Sequence, residues 1–158
     1  MFIAQDMAGE TLSSSSISEI AEGVSFRASF MESCSFSGMD IKDCDFSLAS
    51  MSYTYFKYCL LDGVNLFHTD LQESHFDGVN FMGCTIIGTH FKDAVFENCR
   101  FENCKILGAN FRYTDFDEEC VFDGGVLSGV FVGARMPDRL TISAETRIKK
   151  LYFGKESK

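Results

Sequence analysis

The chain has 158 residues, 46% of them hydrophobic, with 17 Phe, 7 Cys and a formal net charge of −9. That length and content fit one domain with a sizeable core. No run approaches the roughly 18 consecutive apolar residues of a membrane span, and an acidic balance works against direct contact with nucleic acid, whose phosphates repel it.

The opening, MFIAQDMAGE, lacks the basic flank and apolar run of a signal peptide, so a cytoplasmic location is expected. Seven cysteines are an odd number without an export signal, which points to free thiols rather than a disulfide framework. Residues 1–22 read as an N-terminal cap. Within SSSSISEIAEG, Ser16 and Glu19 can form a capping box for a short helix ending near Gly23, which would lid the body of the domain.

Residues 23–134 have a period of five. From Phe26 to Phe116, every fifth residue is large and apolar in all 19 cases, an outcome that chance gives on the order of 10⁻⁶ of the time. Two places earlier runs a second column, from Val24 through Ser29 and Cys34 to Thr114, in which only Met39 is large. Residues two apart in an extended segment share a side, so each pentad is a three-residue strand turning one small and one large side chain inward. The remaining two positions make a corner, and the second of them is Gly38, Gly63, Gly78, Gly83, Gly88 or Gly108 in six pentads. Steps of twenty return one residue type, as in Phe36, Phe56, Phe76, Phe96 and Phe116, whereas steps of fifteen mix Phe36, Met51 and Leu66. Four sides therefore close one coil. Between Val24 and Val132 there is room for about five and a half coils stacked at roughly 4.8 Å.

Runs such as CRFEN, CKILG, ANFRY and TDFDE resemble the pentapeptide-repeat proteins, over roughly residues 22 to 134. The resemblance implies a right-handed, four-sided parallel β-helix, an all-β solenoid. It also implies a non-catalytic protein that binds other proteins. The chain departs from the family pattern at the middle position, which is Asp or Asn in only seven of 19 pentads.

After Phe116 the register slips by one: the inward pair returns as Cys120 with Phe122, then Gly125 with Leu127, and Glu118 with Glu119 forms a small bulge. The repeat fades before Pro137, which lacks an amide hydrogen for a further coil. Residues 135–158 form a basic segment. In it, Ser143 can cap a short helix closed by Gly154, with Ile148, Leu151 and Tyr152 on one face. That face either closes the last coil of its own chain or meets a second copy. In the gyrase-interacting members of the family a C-terminal segment dimerises the rod, so the resemblance favours a homodimer.

Cys34, Cys44, Cys59, Cys84, Cys99 and Cys104, and Cys120 after the slip, fall in the small inward column and read as core residues. His68, His75 and His90 have no metal-ligand spacing, and no phosphate loop, nucleophile elbow or Cys-x-x-Cys is present. No metal, cofactor or catalysis is expected, and His75 reads as a solvated surface group near Asp77 and Asp115.

What remains is the outer surface. Residues 1 to 134 carry 7 Lys or Arg against 20 Asp or Glu, and residues 135 to 158 carry 7 against 3. On the all-Phe wall, Asp77, Glu97 and Asp117 stack on successive coils; Asp62, Glu102 and Asp123 stand on the neighbouring wall, and Glu118 and Glu119 on the bulge. The resemblance gives this face a role: quinolone-resistance members of the family imitate duplex DNA in the DNA-binding saddle of gyrase and topoisomerase IV. On another wall Phe67, Ile87 and Leu107 form an outward apolar ridge. Its alternative reading is a protein-interaction scaffold or bacterial effector module, with the acids serving solubility.

Overall fold

The strands are shifted by one residue from the expected pentad: in Ser35–Ser37 or His75–Asp77 only the central Phe turns inward, and the small inward residue, Cys34 or Ser74, stands just before the strand. In the computed structural model of the chain these segments wind into a four-sided parallel β-helix of about seven coils. The structure describes residues 1–3, 5–20, 22–138 and 140–154. Wall 1 is a six-stranded sheet of Ser16–Ile17, Ser35–Ser37, Tyr55–Lys57, His75–Asp77, Val95–Glu97 and Asp115–Phe116. Wall 2 holds Asp40–Lys42, Leu60–Asp62, Asn80–Met82, Arg100–Glu102, Val121–Asp123 and Thr141–Ile142, with the pair Phe2–Ile3 and Glu19–Ile20 next to its first strand.

Wall 3 contains Thr85–Ile87, Lys105–Asn110, Val126–Val130 and Arg147–Tyr152, and reaches the lower coils through single bridges at Asn65, Asp45 and Ser25. Wall 4 is built from bridges that climb from Thr11 through Phe30, Ser50, Asp70 and His90 to Asn110. Every pairing is parallel and joins residues about one coil apart, so each side chain stacks on its counterpart.

The inward columns make the core. Phe36, Phe56, Phe76, Phe96 and Phe116 pair in register on wall 1, with ring centroids 4.4 to 5.2 Å apart and nearly parallel planes. Each stacked pair adds about 0.5–1.5 kcal/mol beyond its buried area. Phe81, Phe101 and Phe122 stack likewise on wall 2, and Phe91, Phe111 and Phe131 on wall 4. Hydroxyls in the small column are satisfied by main-chain carbonyls: Thr69 Oγ1 donates to Phe46 O at 2.8 Å and Thr89 Oγ1 to Leu66 O at 2.6 Å.

Corners demand the left-handed backbone. The six glycines read as corners have φ between 60° and 64°, but Leu48, Tyr53, Tyr58, His68 and eight other non-glycine residues at corners do the same work, as does Tyr113 at 57°. Each such residue costs about 1 kcal/mol. The corner amides bond to the coil above, as Leu48 N to Phe67 O at 2.9 Å, and this pairing outweighs the local strain.

The register slip after Phe116 is real. Phe116 pairs with Phe96, whereas Phe122 pairs with Phe101, and the extra residue is absorbed in the turn at Glu118 and Glu119. The expected terminal helices are corrected: among the described residues there is no helix. Ser16 and Glu19 begin short strands, and Ile17 pairs with Phe36 beneath the first full coil. Ile148, Leu151 and Tyr152 lie on the strand Arg147–Tyr152, paired with Val126–Val130. A helix this short is marginal by itself. An open parallel edge offers the same segment a full set of hydrogen bonds and a place for its apolar side chains.

Candidate protein-binding faces

The outward side chains of walls 1 and 2 form one acidic surface that bends around their shared corner. Lys57, Asp77 and Glu97 align across wall 1, and Glu102 aligns with Asp123 on wall 2. Asp117 follows Phe116; its carboxylate accepts the amides of Asn98 at 2.9 Å and Glu119 at 3.1 Å, which holds it beside the Glu118–Glu119 turn. The structure thus brings Asp77, Glu97, Asp117, Glu118, Glu119, Glu102 and Asp123 onto adjoining sides. Asp62 stands apart, since Met82 lies between it and Glu102 in the wall 2 register.

The face also contains cations, and most of their ion pairs cross from coil to coil. Lys57 Nζ lies 3.4 Å from Asp77, and His75 Nε2 lies 2.7 Å from Glu97 Oε2. His75 is therefore tied to Glu97, one coil up on the diagonal, rather than to Asp77 or Asp115. Arg100 bridges Glu102 at 3.3 Å and Asp123, and Arg135 clasps Asp115 through two nitrogens. Apart from Arg100 with Glu102, which are neighbours on one strand, these partners sit 20 to 23 residues apart, a spacing that could have flagged them once the coil length was known. Pairing at this exposure is weak in water, and salt screens it further. It trims the negative field of the face without reversing it.

Walls 3 and 4 differ in character. Phe67 is 38% exposed, its ring edge-on to His68, and Ile87 aligns with Leu107 on the next coil. Ridge residues thus stack as the columns require, half-buried apart from Phe67. Lys105 precedes Ile106 on this wall, and Arg147, Lys149 and Lys150 follow on the last strand. The apolar ridge is flanked by positive charge, and the acidic face lies on the other two walls. Ile148 and Tyr152 are exposed and Leu151 is half-buried.

All seven cysteines are buried, and none is in a disulfide. Burial pushes Cys34, Cys44, Cys59 and Cys99 above the usual thiol range, and the thiol of Cys104 beside it, followed by burial, does the same to Cys84. The contact with Cys84 moves Cys104 the other way, below the usual thiol range. The five raised, inaccessible thiols are poor nucleophiles and poor metal ligands. Among the described residues no group of His, Cys, Asp and Glu is arranged to hold a metal ion, and no helix is long and apolar enough to cross a membrane.

The family described as "Pentapeptide repeat region" matches residues 20–111. Among solved structures, HetL, a pentapeptide repeat protein involved in heterocyst differentiation regulation from the cyanobacterium Nostoc sp. strain PCC 7120, aligns with a TM-score of 0.59 at 13% identity, over 84% of this chain and 62% of its own. This chain thus spans less than two thirds of HetL. A trypsin-treated form of QnrB1, a plasmid-mediated fluoroquinolone resistance protein, aligns at 15% identity and a TM-score of 0.43, over 94% of this chain and 90% of its own. A pentapeptide repeat protein of the Arabidopsis thaliana thylakoid lumen aligns at 16% identity and a TM-score of 0.39, over 85% and 70%. No curated protein sequence matches the chain. At such identities the likeness is one of fold.

Proposed function

Because the chain belongs to the pentapeptide-repeat family, we propose that it is a non-catalytic, cytoplasmic protein-binding rod whose acidic walls meet a basic surface on another protein. The observation that carries this reading is the uneven charge, with carboxylates stacked on successive coils of walls 1 and 2, single ones such as Asp45 and Asp70 on walls 3 and 4, and the apolar ridge with Lys105 and the last-strand cations on wall 3. A basic surface that recognises a regular negative rod is most readily found on a DNA-binding protein. Where carboxylates stack on successive coils, as Asp77 with Glu97 and Glu102 with Asp123, they stand about 4.8 Å apart along the axis, against about 3.4 Å for one DNA strand. The finer proposal is therefore a protein mimic of DNA that occupies the DNA-binding surface of a type II topoisomerase, gyrase or topoisomerase IV.

A supercoiling assay with purified gyrase tests it. The parent protein should inhibit or protect the enzyme, and Asp77→Asn, Glu97→Asn and Asp117→Asn together should abolish the effect and flatten its salt dependence. No effect of the parent at micromolar concentration removes the topoisomerase reading. A second reading rests on the ridge: Phe67 stands 38% exposed below the aligned Ile87 and Leu107, an apolar strip suited to a scaffold or effector contact. Here Phe67→Ser with Ile87→Ser should release a partner that the acidic-face variants retain.

A further inference from the structure

Both ends of the rod present open coils among the described residues. At the C-terminal end Ile142 and Ile148 sit over Phe122 and Leu127, and the Phe153 ring lies 5.7 Å from Phe131 as the last rung of the wall 4 ladder. The rungs below are about 1% exposed, whereas Ile148 is 52% and Phe153 56% exposed. Thr141–Ile142 and Arg147–Tyr152 are the last strands of their sheets, with no further strand beyond them among the described residues. At the N-terminal end Phe2–Ile3 and Ser16–Ile17 are likewise outermost. There a concavity of about 400 Å³ is lined by Met1, Phe2, Ile3, Gln5, Met7 and Leu12. One end is dished, with apolar side chains and polar groups sharing its lining, and the other carries protruding apolar side chains.

The ends also differ in charge. Residues 1–20 contain Asp6, Glu10 and Glu19 and no Lys or Arg, against one cation, the Met1 ammonium, which donates to Ser16 O at 3.0 Å and Ser18 Oγ at 3.1 Å. The last coil exposes Arg147, Lys149 and Lys150 against Glu145, so it is positive on balance. We propose that the rods stack head to tail, the C-terminal coil of one copy seating on the N-terminal coil of a second. Ile148 and Phe153 then enter the dish around Leu12, which begins wall 4 as Phe153 ends it, and the strands of all four walls continue in parallel across the junction. A symmetric contact between two C-terminal ends, the alternative for Ile148, Leu151 and Tyr152, sets the three cations against their own copies, and two N-terminal ends do the same with the carboxylates. Head-to-tail contacts do not close, so they yield open chains of rods. The inference is independent of the acidic-face reading, because the walls stay free.

Sedimentation velocity and light scattering on the purified chain test it, with two variants that each block one end. Ile148→Asp with Lys150→Glu blocks the C-terminal end, and Phe2→Arg with Glu10→Arg the N-terminal end. All four side chains are exposed, so the core is untouched, and circular-dichroism melting checks that both variants fold. The parent is expected to grow with concentration beyond a dimer, and each variant alone to stay monomeric. An equimolar mixture should double in mass and stop there, since only one junction can form. A parent that is monomeric at every concentration overturns the proposal, as does a dimer of the N-terminally blocked variant alone, which is the signature of a symmetric C-terminal contact.

Discussion

Phe96→Ala probes the ladder on which the architecture depends. Phe96 is fully buried, stacked on Phe76 at 4.8 Å and on Phe116 at 4.9 Å. It also meets Phe91 edge-on at 5.4 Å, and Phe101 and Phe81 at tilted angles. Truncating a buried Phe to Ala costs about 3–5 kcal/mol, depending on how far the site collapses. Collapse is restricted here, because the main-chain pairing of Val95–Glu97 with both neighbouring strands fixes the coil spacing. Two stacked contacts of about 0.5–1.5 kcal/mol each are lost as part of the same change, so the expected cost is near the top of the range, about 5 kcal/mol. In urea unfolding with m of about 2 kcal/mol/M, the midpoint should fall by roughly 2.5 M. Phe153→Ala, at 56% exposure with one ring neighbour, serves as the control and should cost about 1 kcal/mol or less. A loss under about 1 kcal/mol at Phe96, or equal losses at the two positions, refutes the stacked-ladder account.

The buried thiols give the fold a pH dependence. Cys34, Cys44, Cys59, Cys84 and Cys99 are raised in the folded chain, so above the unfolded thiol value of about 8.5 the folded form keeps protons that the unfolded chain releases. Their contribution is complete below that pH and is lost as pH climbs towards the folded values, by up to about 1.4 kcal/mol per pH unit per thiol; urea midpoints from neutral to alkaline pH should fall, and a flat profile contradicts the assignment. Gly83→Ala meets open space at φ +61° and should cost about 1 kcal/mol. Gly125→Ala places its Cβ 2.2 Å from the Cys104 carbonyl oxygen at φ +69° and should cost at least about 3 kcal/mol, so equal melting shifts for the two glycine variants count against the corner geometry. The Lys57–Asp77 pair, 38% and 18% exposed, should show a coupling under about 0.5 kcal/mol in a double-mutant cycle with Lys57→Met and Asp77→Asn; a coupling of several times that size means the face is drier than its exposure implies.

The coil was legible in the residues themselves. Which side chains turn inward, where corners fall and how many sides close are set within each pentad and repeated along the chain, so Phe36 through Phe116 announce the ladder before any contact is known. The one-residue slip after Phe116 was visible for the same reason. The terminal segments were not. Ile17, Ile148 and Leu151 suit one face of a short helix as well as the inside of a coil, and an open parallel edge beside them decided between the two. Ion pairs such as His75 with Glu97 join residues more than 20 apart in sequence and exist only once coils lie on each other. Local chemistry repeated every five residues was enough to determine the winding; partners across coils, and the open faces at either end, were decided by the stacking, because those contacts depend on neighbours that a linear pattern does not bring together.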